Sequence, residues 1–333
     1  MKRFLGKLFT TATLAAAAIL PLSAQASIAG ILLGQSVQIN LVAGTGYTQT
    51  KYPIVLVHGI LGFDHVGLYE YFYGIPAALR SDGAAVYVSQ VSALNKHEVR
   101  GEQLLTYIKQ IIAATGKPKV NLIGHSQGSP TARYVAAVRP DLVASVTGVD
   151  GVNKGSGVAD VMVNTLPPGS LSGEVLASIQ NAFGQLVALL SPDNQPGTPL
   201  PQSWHDAAYA LSTPGSNAFN AKFPQGIPTT ACGQGAPLVN GVRYFSWSGA
   251  QPYTNALDLV DPILAVTSLA MLGQKNDGLV SSCNTHLGQV LRDDYWMNHL
   301  DVINQTIGIV DLFEVNPVTL YRQHANRLKN LGL

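Results

Sequence analysis

Apolar residues follow two different patterns along this chain, and the two patterns alternate. In the first pattern, apolar residues recur at helical spacing, as they do over 75–81 and 99–115. Gly116 and Pro118 end the longer of these two helices. Short runs rich in aliphatic and β-branched residues predict buried strands, and they lie at 52–59, 84–91, 119–123, 143–149 and 242–247. Strands that alternate with helices predict an α/β fold with a mostly parallel sheet covered by helices on both faces.

The strand over 119–123 stops at Gly124-His125-Ser126-Gln127-Gly128, and a helical pattern over 131–138 follows. This order is typical of a nucleophile elbow, a sharp turn that lifts a serine above the end of a sheet. Both glycines are required for a steric reason, since a side chain at either position would collide where the strand and helix backbones approach each other. Ser126 is therefore the candidate nucleophile, and the helix start behind it favours the negative charge of acyl transfer.

A serine nucleophile needs a general base, and the base needs an acid that orients it. In a sheet of this kind the acid follows the serine, and the histidine comes last. Asp277, in an Asn-Asp-Gly turn before an apolar run, is the preferred acid, and the competing carboxylates are Asp258, Asp261, Asp293 and Asp294. Because His205 precedes this acid and His324 lies in a basic tail, the residues leave His286 and His299 open as the base.

The negatively charged oxygen that forms during acyl transfer needs backbone N–H donors. One donor is predicted at Gln127, directly after the serine, and the other at Ile60, in the loop after the first strand. We interpret His58 and His125 as scaffold, because a base next to Ser126 in sequence would point away from it. The sequence contains no H-E-x-x-H motif, so its histidine spacing does not indicate a zinc hydrolase.

Composition indicates the class of substrate and the cellular compartment of the protein. A net charge of +1 with 12% charged residues gives no electrostatic case for nucleic acid and favours an apolar or neutral substrate. Residues 1–26 combine a basic start, an apolar run and Ala24-Gln25-Ala26, which predicts a signal peptide and secretion. The chain has two cysteines, and in an exported protein this predicts a disulfide between Cys232 and Cys283.

One segment, 155–221, contains no lysine or arginine and only four acids. One side of a predicted helix within it is apolar and is formed by Val175, Leu176, Ile179, Phe183, Leu186, Val187 and Leu190. Two interpretations stay open: a core helix, or a lid that swings and exposes its apolar side to a lipid surface. We expect a single domain over 27–333 that carries this segment as an insert.

Six motifs together resemble the secreted triacylglycerol lipases of Pseudomonas and Burkholderia, family I. The motifs are the runs at 52–63, 99–104, 119–127, 132–137, 276–280 and 297–301. The resemblance covers nearly everything from about residue 47 onwards and implies an α/β-hydrolase fold with a serine triad. It implies Asp277 as the acid and His299, in an Asn-His-Leu-Asp run, as the base, and it makes His286 scaffold.

The resemblance also implies components that the residues alone do not indicate. These are a structural calcium ion, a lid in the charge-poor segment, and a membrane-tethered, lipase-specific foldase chaperone. The calcium ligands would be the carboxylates of Asp258 and Asp301 and the main-chain carbonyls of Gln305 and Ile309. Such oxygen ligands suit a hard cation, which would pin the loop that presents His299.

Two positions depart from the family pattern. Ser129 stands where relatives usually have a glycine, and Asp150 lies in a run, 148–156, that lacks the usual Pro-His. We expect a calcium-stabilised lipase that hydrolyses water-insoluble acylglycerols, with a carboxylesterase or polyester hydrolase as the alternative that these departures favour. A non-catalytic exported binding module is a third hypothesis, and the intact serine, acid and histidine argue against it.

Overall fold

A seven-stranded sheet forms the centre of the fold. The structure is a computed structural model, and it describes residues 46–62, 65–66, 69–165, 171–190 and 200–333. The predicted signal peptide, 1–26, and the start of the predicted domain, 27–45, lie outside these residues. The strands are β1 (Ile54–Val57), β2 (His65–Val66), β3 (Tyr69–Glu70), β4 (Val86–Val88), β5 (Val120–His125), β6 (Val143–Val149), β7 (Leu238–Val239), β8 (Val242–Gly249) and β9 (Gln289–Tyr295).

The central sheet is parallel except at β7. Its strands lie in the order β4-β1-β5-β6-β8, and both β7 and β9 pair with the far edge of β8, β7 antiparallel and β9 parallel. The residues of β1, β5 and β6 are buried along the whole of each strand. Central strands of this kind are mostly apolar because helices cover both faces of the sheet. The predicted strand over 84–91 forms only at Val86–Val88, and β2 and β3 make a separate antiparallel pair.

Helices cover the two faces of the sheet, as the alternation predicted. In β1, Ile54 and Leu56 pack on the face that carries α1 and α10, whereas Val55 and Val57 pack on the face that carries α2 and α3. No helix in the described part of the chain is long and apolar enough to cross a membrane. The helices are α1 (Ile75–Ser81), α2 (His97–Thr115), α3 (Gly128–Val138), α4 (Gly157–Met162), α5 (Gly173–Leu190), α6 (Trp204–Leu211), α7 (Thr213–Lys222), α8 (Asp261–Thr267), α9 (Ser282–Thr285) and α10 (Pro317–Asn330).

The charge-poor segment contains α4, α5 and α6 and most of α7. In α5 the predicted apolar side faces inward, since Ile179 and Leu186 are buried, while Ser178 and Gln180 on the opposite side are exposed. The side chains of Val187 and Leu190 lie outside the described residues. This helix packs against α8 and the core, so the structure shows it docked, and its movement as a lid stays a prediction.

The carboxyl ends of the parallel strands bring distant parts of the chain to one edge of the sheet. Ile60 follows β1, Ser126 follows β5, Asp150 follows β6, and His299 follows β9. In open α/β sheets, ligands bind at this edge. A disulfide joins Cys232 and Cys283 across 51 positions and ties the loop after α7 to α9.

Candidate active site

The predicted strand-to-helix turn forms between β5 and α3. Ser126 has a φ of +55°, a left-handed conformation that is costly for a residue with a side chain. A Cβ on Gly124 would lie 2.3 Å from the backbone of Gly128, and a Cβ on Gly128 would lie 2.0 Å from the carbonyl oxygen of Val57. Both positions therefore require glycine for the steric reason that the sequence indicated. The N–H of Ser126 donates to the carbonyl of Val149 at 3.0 Å, which ties the turn to β6.

His299 and Asp277 are in direct contact. His299 Nδ1 lies 2.7 Å from Asp277 Oδ2, and the backbone N–H of His299 donates to the carbonyl of Asp277 at 2.9 Å. Asp277 Oδ1 accepts from the N–H groups of Leu279 and Val280, at 2.8 and 2.7 Å. Because the carboxylate accepts the Nδ1 proton, Nε2 of the neutral imidazole is left as a proton acceptor. This is the orientation that a general base needs.

An apolar pocket is lined by both Ser126 and His299. Phe183 brings α5 to the same pocket, so the charge-poor segment contributes to its wall. Such a lining favours an apolar group beside the serine. The remaining lining residues are Ile60, Val152, Ser156, Val158, Ala159, Met162, Trp204, Ala208, Leu211, Leu279 and Val280.

The other candidate histidines lie in separate contacts. His286 Nε2 is 2.9 Å from Asp293 Oδ2, which makes a second histidine–aspartate pair next to the disulfide. His324 Nε2 is 2.8 Å from Thr147 Oγ1 in the core, and His205 is exposed. Within the described part of the chain, the pocket that Ser126 lines contains one histidine, His299.

Ile60 and Gln127 are the two residues predicted to donate to the oxyanion. Ile60 lines the pocket, and Gln127 is the N-cap residue directly before α3. Among the described residues, neither of their backbone N–H groups donates to a protein acceptor. Gln127 is held in place by its side chain, whose Nε2 donates to the carbonyl of Asn95 at 2.7 Å. Two unpaired donors beside a serine are what a developing oxyanion needs.

A buried arginine supports the loop that carries Ile60. Arg100 Nη2 donates to the carbonyls of His58 and Gly59, at 2.5 and 3.3 Å, and Nε donates to Thr131 Oγ1 at 3.2 Å. Burial lowers the pKa of Arg100 to about 9, so the side chain is still a cation at neutral pH. A buried cation needs acceptors, and here the loop carbonyls supply them. The sequence carries a signal of this role, because position 100 is in phase with the buried face of α2 at 104, 108 and 111.

Tyr71 and His125 link the same loop to the segment that carries His299. The N–H of Gly59 donates to Tyr71 Oη at 3.0 Å, Tyr71 Oη lies 2.7 Å from His125 Nδ1, and His125 Nε2 lies 2.9 Å from the carbonyl of His299. The carbonyl only accepts, so His125 donates from Nε2 and accepts the Tyr71 proton at Nδ1. Burial lowers the pKa of His125 well below its ordinary value, which keeps the ring neutral. Both of its nitrogens are therefore occupied, and this agrees with its interpretation as scaffold.

The departure at Ser129 lies beneath the elbow. Ser129 is fully buried, and its Oγ donates to Asn153 Oδ1 at 2.9 Å. A Cβ on Gly151 would lie 2.6 Å from Ser129 Oγ, so the hydroxyl fills the space between the elbow and the segment after β6. The extra hydroxyl ties these two segments together.

The predicted calcium ligands lie on the loops around His299. Asp258 and Asp301 are both buried, and Asp301 Oδ1 has no hydrogen-bond partner among the described residues. Asp261 lies beside them, and burial together with the charges of Asp261 and Asp258 raises the pKa of Asp301 to about 7. Gln305 and Ile309 flank the turn that follows. Buried carboxylates that repel one another, with an unpaired oxygen, fit a hard divalent cation.

Comparison with known proteins places this chain in a family. Residues 52–285 match the family model described as the alpha/beta hydrolase fold. A triacylglycerol lipase of Vibrio cholerae serotype O1 is 57% identical over 288 residues, which cover 86% of this chain and 91% of that protein. A triacylglycerol lipase of Pseudomonas fragi is 45% identical over 293 residues, which cover 85% of this chain and 98% of that protein.

A solved structure supports the fold independently. The mature form of the Bacillus licheniformis lipase BlEst2 superposes with a TM-score of 0.54 over 78% of this chain and 90% of that chain, at 20% identity. At an identity this low, the match supports the fold and carries no information about the activity. Together with the close sequence relatives, these matches confirm the resemblance that the motifs indicated. The chain therefore belongs to the α/β hydrolase family and, within it, to the bacterial triacylglycerol lipases.

Proposed function

We propose that this protein is a secreted triacylglycerol lipase that hydrolyses the carboxylic ester bonds of water-insoluble acylglycerols. The observation that carries the proposal is the contact between His299 and Asp277 at the wall of an apolar pocket that Ser126 also lines. The two relatives named triacylglycerol lipase support the same activity. An apolar wall beside the nucleophile suits the fatty acyl chain of such a substrate.

The reaction proceeds through an acyl-enzyme. Ser126 Oγ attacks the ester carbonyl carbon while His299 Nε2 takes the hydroxyl proton, and Asp277 stabilises the imidazolium that forms. The N–H groups of Ile60 and Gln127 hold the negatively charged oxygen, each contributing about 3 kcal/mol in the transition state. His299 then gives its proton to the leaving alcohol, and a water molecule repeats the sequence to release the fatty acid.

The charge-poor segment 155–221 would serve as the lid over this pocket. Its helix α5 places Phe183 in the pocket wall and carries a buried apolar side. Movement of α5 away from α8 would expose that side to a lipid surface and widen access to Ser126. The docked position of α5 corresponds to the narrower state.

A structural calcium ion is part of the proposal. Asp258 and Asp301 would hold it with the main-chain carbonyls of Gln305 and Ile309. The support is the unpaired buried oxygen of Asp301 and the neighbouring carboxylates. When bound, the ion neutralises these charges and stiffens the loop that begins two residues after His299.

Export and assisted folding complete the proposal. The signal-peptide pattern of residues 1–26 supports secretion through the periplasm, and the family resemblance supports a requirement for a lipase-specific foldase. Expression of the full chain with and without a foldase, followed by assay of the medium, tests both points.

The alternative, a carboxylesterase or polyester hydrolase with the same triad, differs in its response to an interface. Hydrolysis rates are measured on an emulsified long-chain triacylglycerol and on a soluble short-chain ester. We expect the rate on the triacylglycerol to rise steeply once the substrate exceeds its solubility. A preference for the soluble ester, with no rise at the solubility limit, favours the alternative.

Replacement of Ser126 tests the catalytic assignment itself. We expect S126A to lower turnover on both substrates by about 10⁴-fold or more, because no acyl-enzyme can form. A serine-directed phosphonate should label the wild type and not S126A, while the two proteins melt at similar temperatures. Labelling of S126A at the wild-type rate contradicts the assignment.

A further inference from the structure

Asp150 is held rigidly at the carboxyl end of β6. Its N–H donates to the carbonyl of Trp247 at 3.1 Å, and its Oδ1 accepts from the N–H of Gly249 at 2.8 Å, so β8 fixes both its backbone and its side chain. The side chain is fully buried, and φ is +44°. Few residue types adopt this left-handed conformation, and Asn, Asp and Gly are the common ones.

The second oxygen of Asp150 points at the candidate triad. Asp150 Oδ2 lies 3.9 Å from His299 Nδ1, the same nitrogen that is 2.7 Å from Asp277 Oδ2. Two buried carboxyl groups thus converge on one imidazole N–H, which can satisfy only one of them. Among the described residues, no N–H or O–H donor reaches Asp150 Oδ2. Two carboxyl oxygens can hydrogen-bond to each other only when one carries a proton.

The surroundings of Asp150 favour the protonated form. Burial comes first, followed by the charge of the neighbouring Asp277 and, more weakly, the charge of Asp301, and together they raise the pKa of Asp150 well above its ordinary value. His125 and the hydroxyl of Tyr321 also lie near this group. Like-charged carboxyl groups in one buried site cannot both ionise at neutral pH.

We infer that Asp150 is a positioning residue whose neutral carboxyl group donates a hydrogen bond from Oδ2 to the Asp277 carboxylate and so holds that carboxylate on His299. The inference rests on the proposed function, because it assigns Asp277 and His299 their roles. The proton stays on Asp150 throughout the reaction. The pair of acids therefore carries one negative charge, which matches the single positive charge of the His299 imidazolium.

Two substitutions that fit the left-handed backbone separate the donor role from the charge. D150N keeps an N–H donor toward Asp277 and an oxygen toward the Gly249 N–H, whereas D150G keeps the backbone and removes the side chain. On a soluble ester we expect D150G to lower kcat by about 10- to 100-fold, by analogy with the loss of a group that orients a metal-ligating residue. KM should change less than about twofold, and D150N should restore most of kcat.

The outcomes of this comparison decide the inference. Equal losses of kcat in D150N and D150G show that the ionised carboxylate is required, and a wild-type kcat in D150G shows that no positioning takes place. Either result overturns the inference. Failure of the proposed function would be seen differently, as activity retained in S126A.

Infrared spectroscopy reports the protonation state without an activity assay. The difference spectrum of the wild type minus D150N at pH 7 should contain the C=O stretching band of a neutral carboxylic acid. D141N is the matched control, because Asp141 is exposed and Arg139 lowers its pKa, so its difference spectrum should contain carboxylate bands. Carboxylate bands in the D150N difference spectrum would show that Asp150 is ionised and would overturn the inference.

Discussion

At the scale of single residues, the surroundings of a histidine distinguish the candidate base better than its hydrogen bond to an acid does. Among the described residues, two histidine–aspartate pairs have similar distances, the fully buried His299 with Asp277 at 2.7 Å and His286 with the partly exposed Asp293 at 2.9 Å. His286 lies beside Gly233 and the disulfide, whereas His299 lines the pocket of Ser126. An orienting acid is therefore necessary for a general base but does not identify one, and access to the nucleophile decides between the pairs.

Removal of each histidine in turn should separate the two pairs. We expect H299A to lower kcat by about 10⁴-fold, because Ser126 loses the group that takes its proton. H286A should lower the free energy of unfolding by about 1–3 kcal/mol through the lost hydrogen bonds and leave kcat within about twofold. Steady-state kinetics and chemical denaturation of both variants measure these changes. A large fall in kcat for H286A with a normal melting temperature contradicts the assignment of the base.

At the scale of elements, the site is assembled from loops that the sheet and helices hold in register. Arg100 reaches from α2 to the carbonyls of the loop after β1, and the Tyr71–His125 contacts connect that loop to the segment of His299. Buried side chains bind the carbonyl oxygens of the loop peptides. Because the N–H group of a peptide points opposite to its carbonyl, these contacts also fix the direction of the loop N–H groups. A guanidinium group suits this task because its planar fork binds several acceptors at once.

The replacement of Arg100 by lysine should disturb the oxyanion loop more than the fold. We expect R100K to lower kcat by about 10- to 100-fold, since an ammonium group cannot reproduce the fork and the Ile60 N–H shifts. Arg133 is the matched control, because it is equally buried, its pKa is also lowered to about 9, and it binds Asn220 and the carbonyl of Phe223. R133K should lose similar stability and keep kcat within about threefold. Equal losses of kcat in both variants would contradict the role of Arg100.

On the scale of the whole molecule, the C-terminal helix locks the sheet from one face. Arg327 Nη1 lies 3.1 Å from His324 Nδ1, and arginine only donates, so Nδ1 accepts and Nε2–H donates to Thr147 of β6. Burial, with a smaller effect of Arg327, lowers the pKa of His324 to about 3. The neutral ring is therefore part of how α10 attaches to the sheet.

The pH dependence of stability should reveal the buried, neutral state of the His324 ring. The unfolded chain binds a proton at His324 below about pH 6.5 that the folded chain does not bind until about pH 3. The stabilisation is thus complete above pH 6.5 and falls with decreasing pH, by about 1.4 kcal/mol per pH unit. Between pH 6 and 4, the free energy of unfolding should fall by about 1.4 kcal/mol per pH unit less in H324Q than in the wild type. H205Q, at an exposed position, should have the same slope as the wild type. Equal slopes for H324Q and the wild type would contradict the buried neutral ring.

Removal of calcium tests the proposed calcium site, which would connect distant segments of the chain. At a free calcium concentration about 100-fold above Kd, binding adds about 2.7 kcal/mol, so a chelator should lower the Tm of the wild type by several degrees. D301N should melt at the same temperature with and without chelator, and under chelation it should melt no lower than the wild type because one buried charge is gone. An unchanged wild-type Tm under chelation would count against the calcium site.

The main elements and the nucleophile turn were predictable from residue patterns because their causes are local. Burial on both faces makes β1, β5 and β6 mostly apolar, and backbone crowding requires Gly124 and Gly128. The helix α1 was predicted with its observed bounds, and α2 begins two residues earlier than predicted. The short helices α4, α6 and α7 and the edge strand β9 were not predicted, because elements this short show little periodicity in the sequence and depend on tertiary contacts.

By itself the sequence determined the fold class, the elbow around Ser126 and the group of candidate acids and bases, because each follows from spacing along a few turns of chain. The family motif already favoured His299 as the base. Only the tertiary structure showed that His299 shares a pocket with Ser126, which carbonyls Arg100 binds, and that Asp150 and Asp277, more than a hundred positions apart, both approach His299. Contacts between segments so far apart depend on sheet order and loop paths, and no local pattern of residues encodes them.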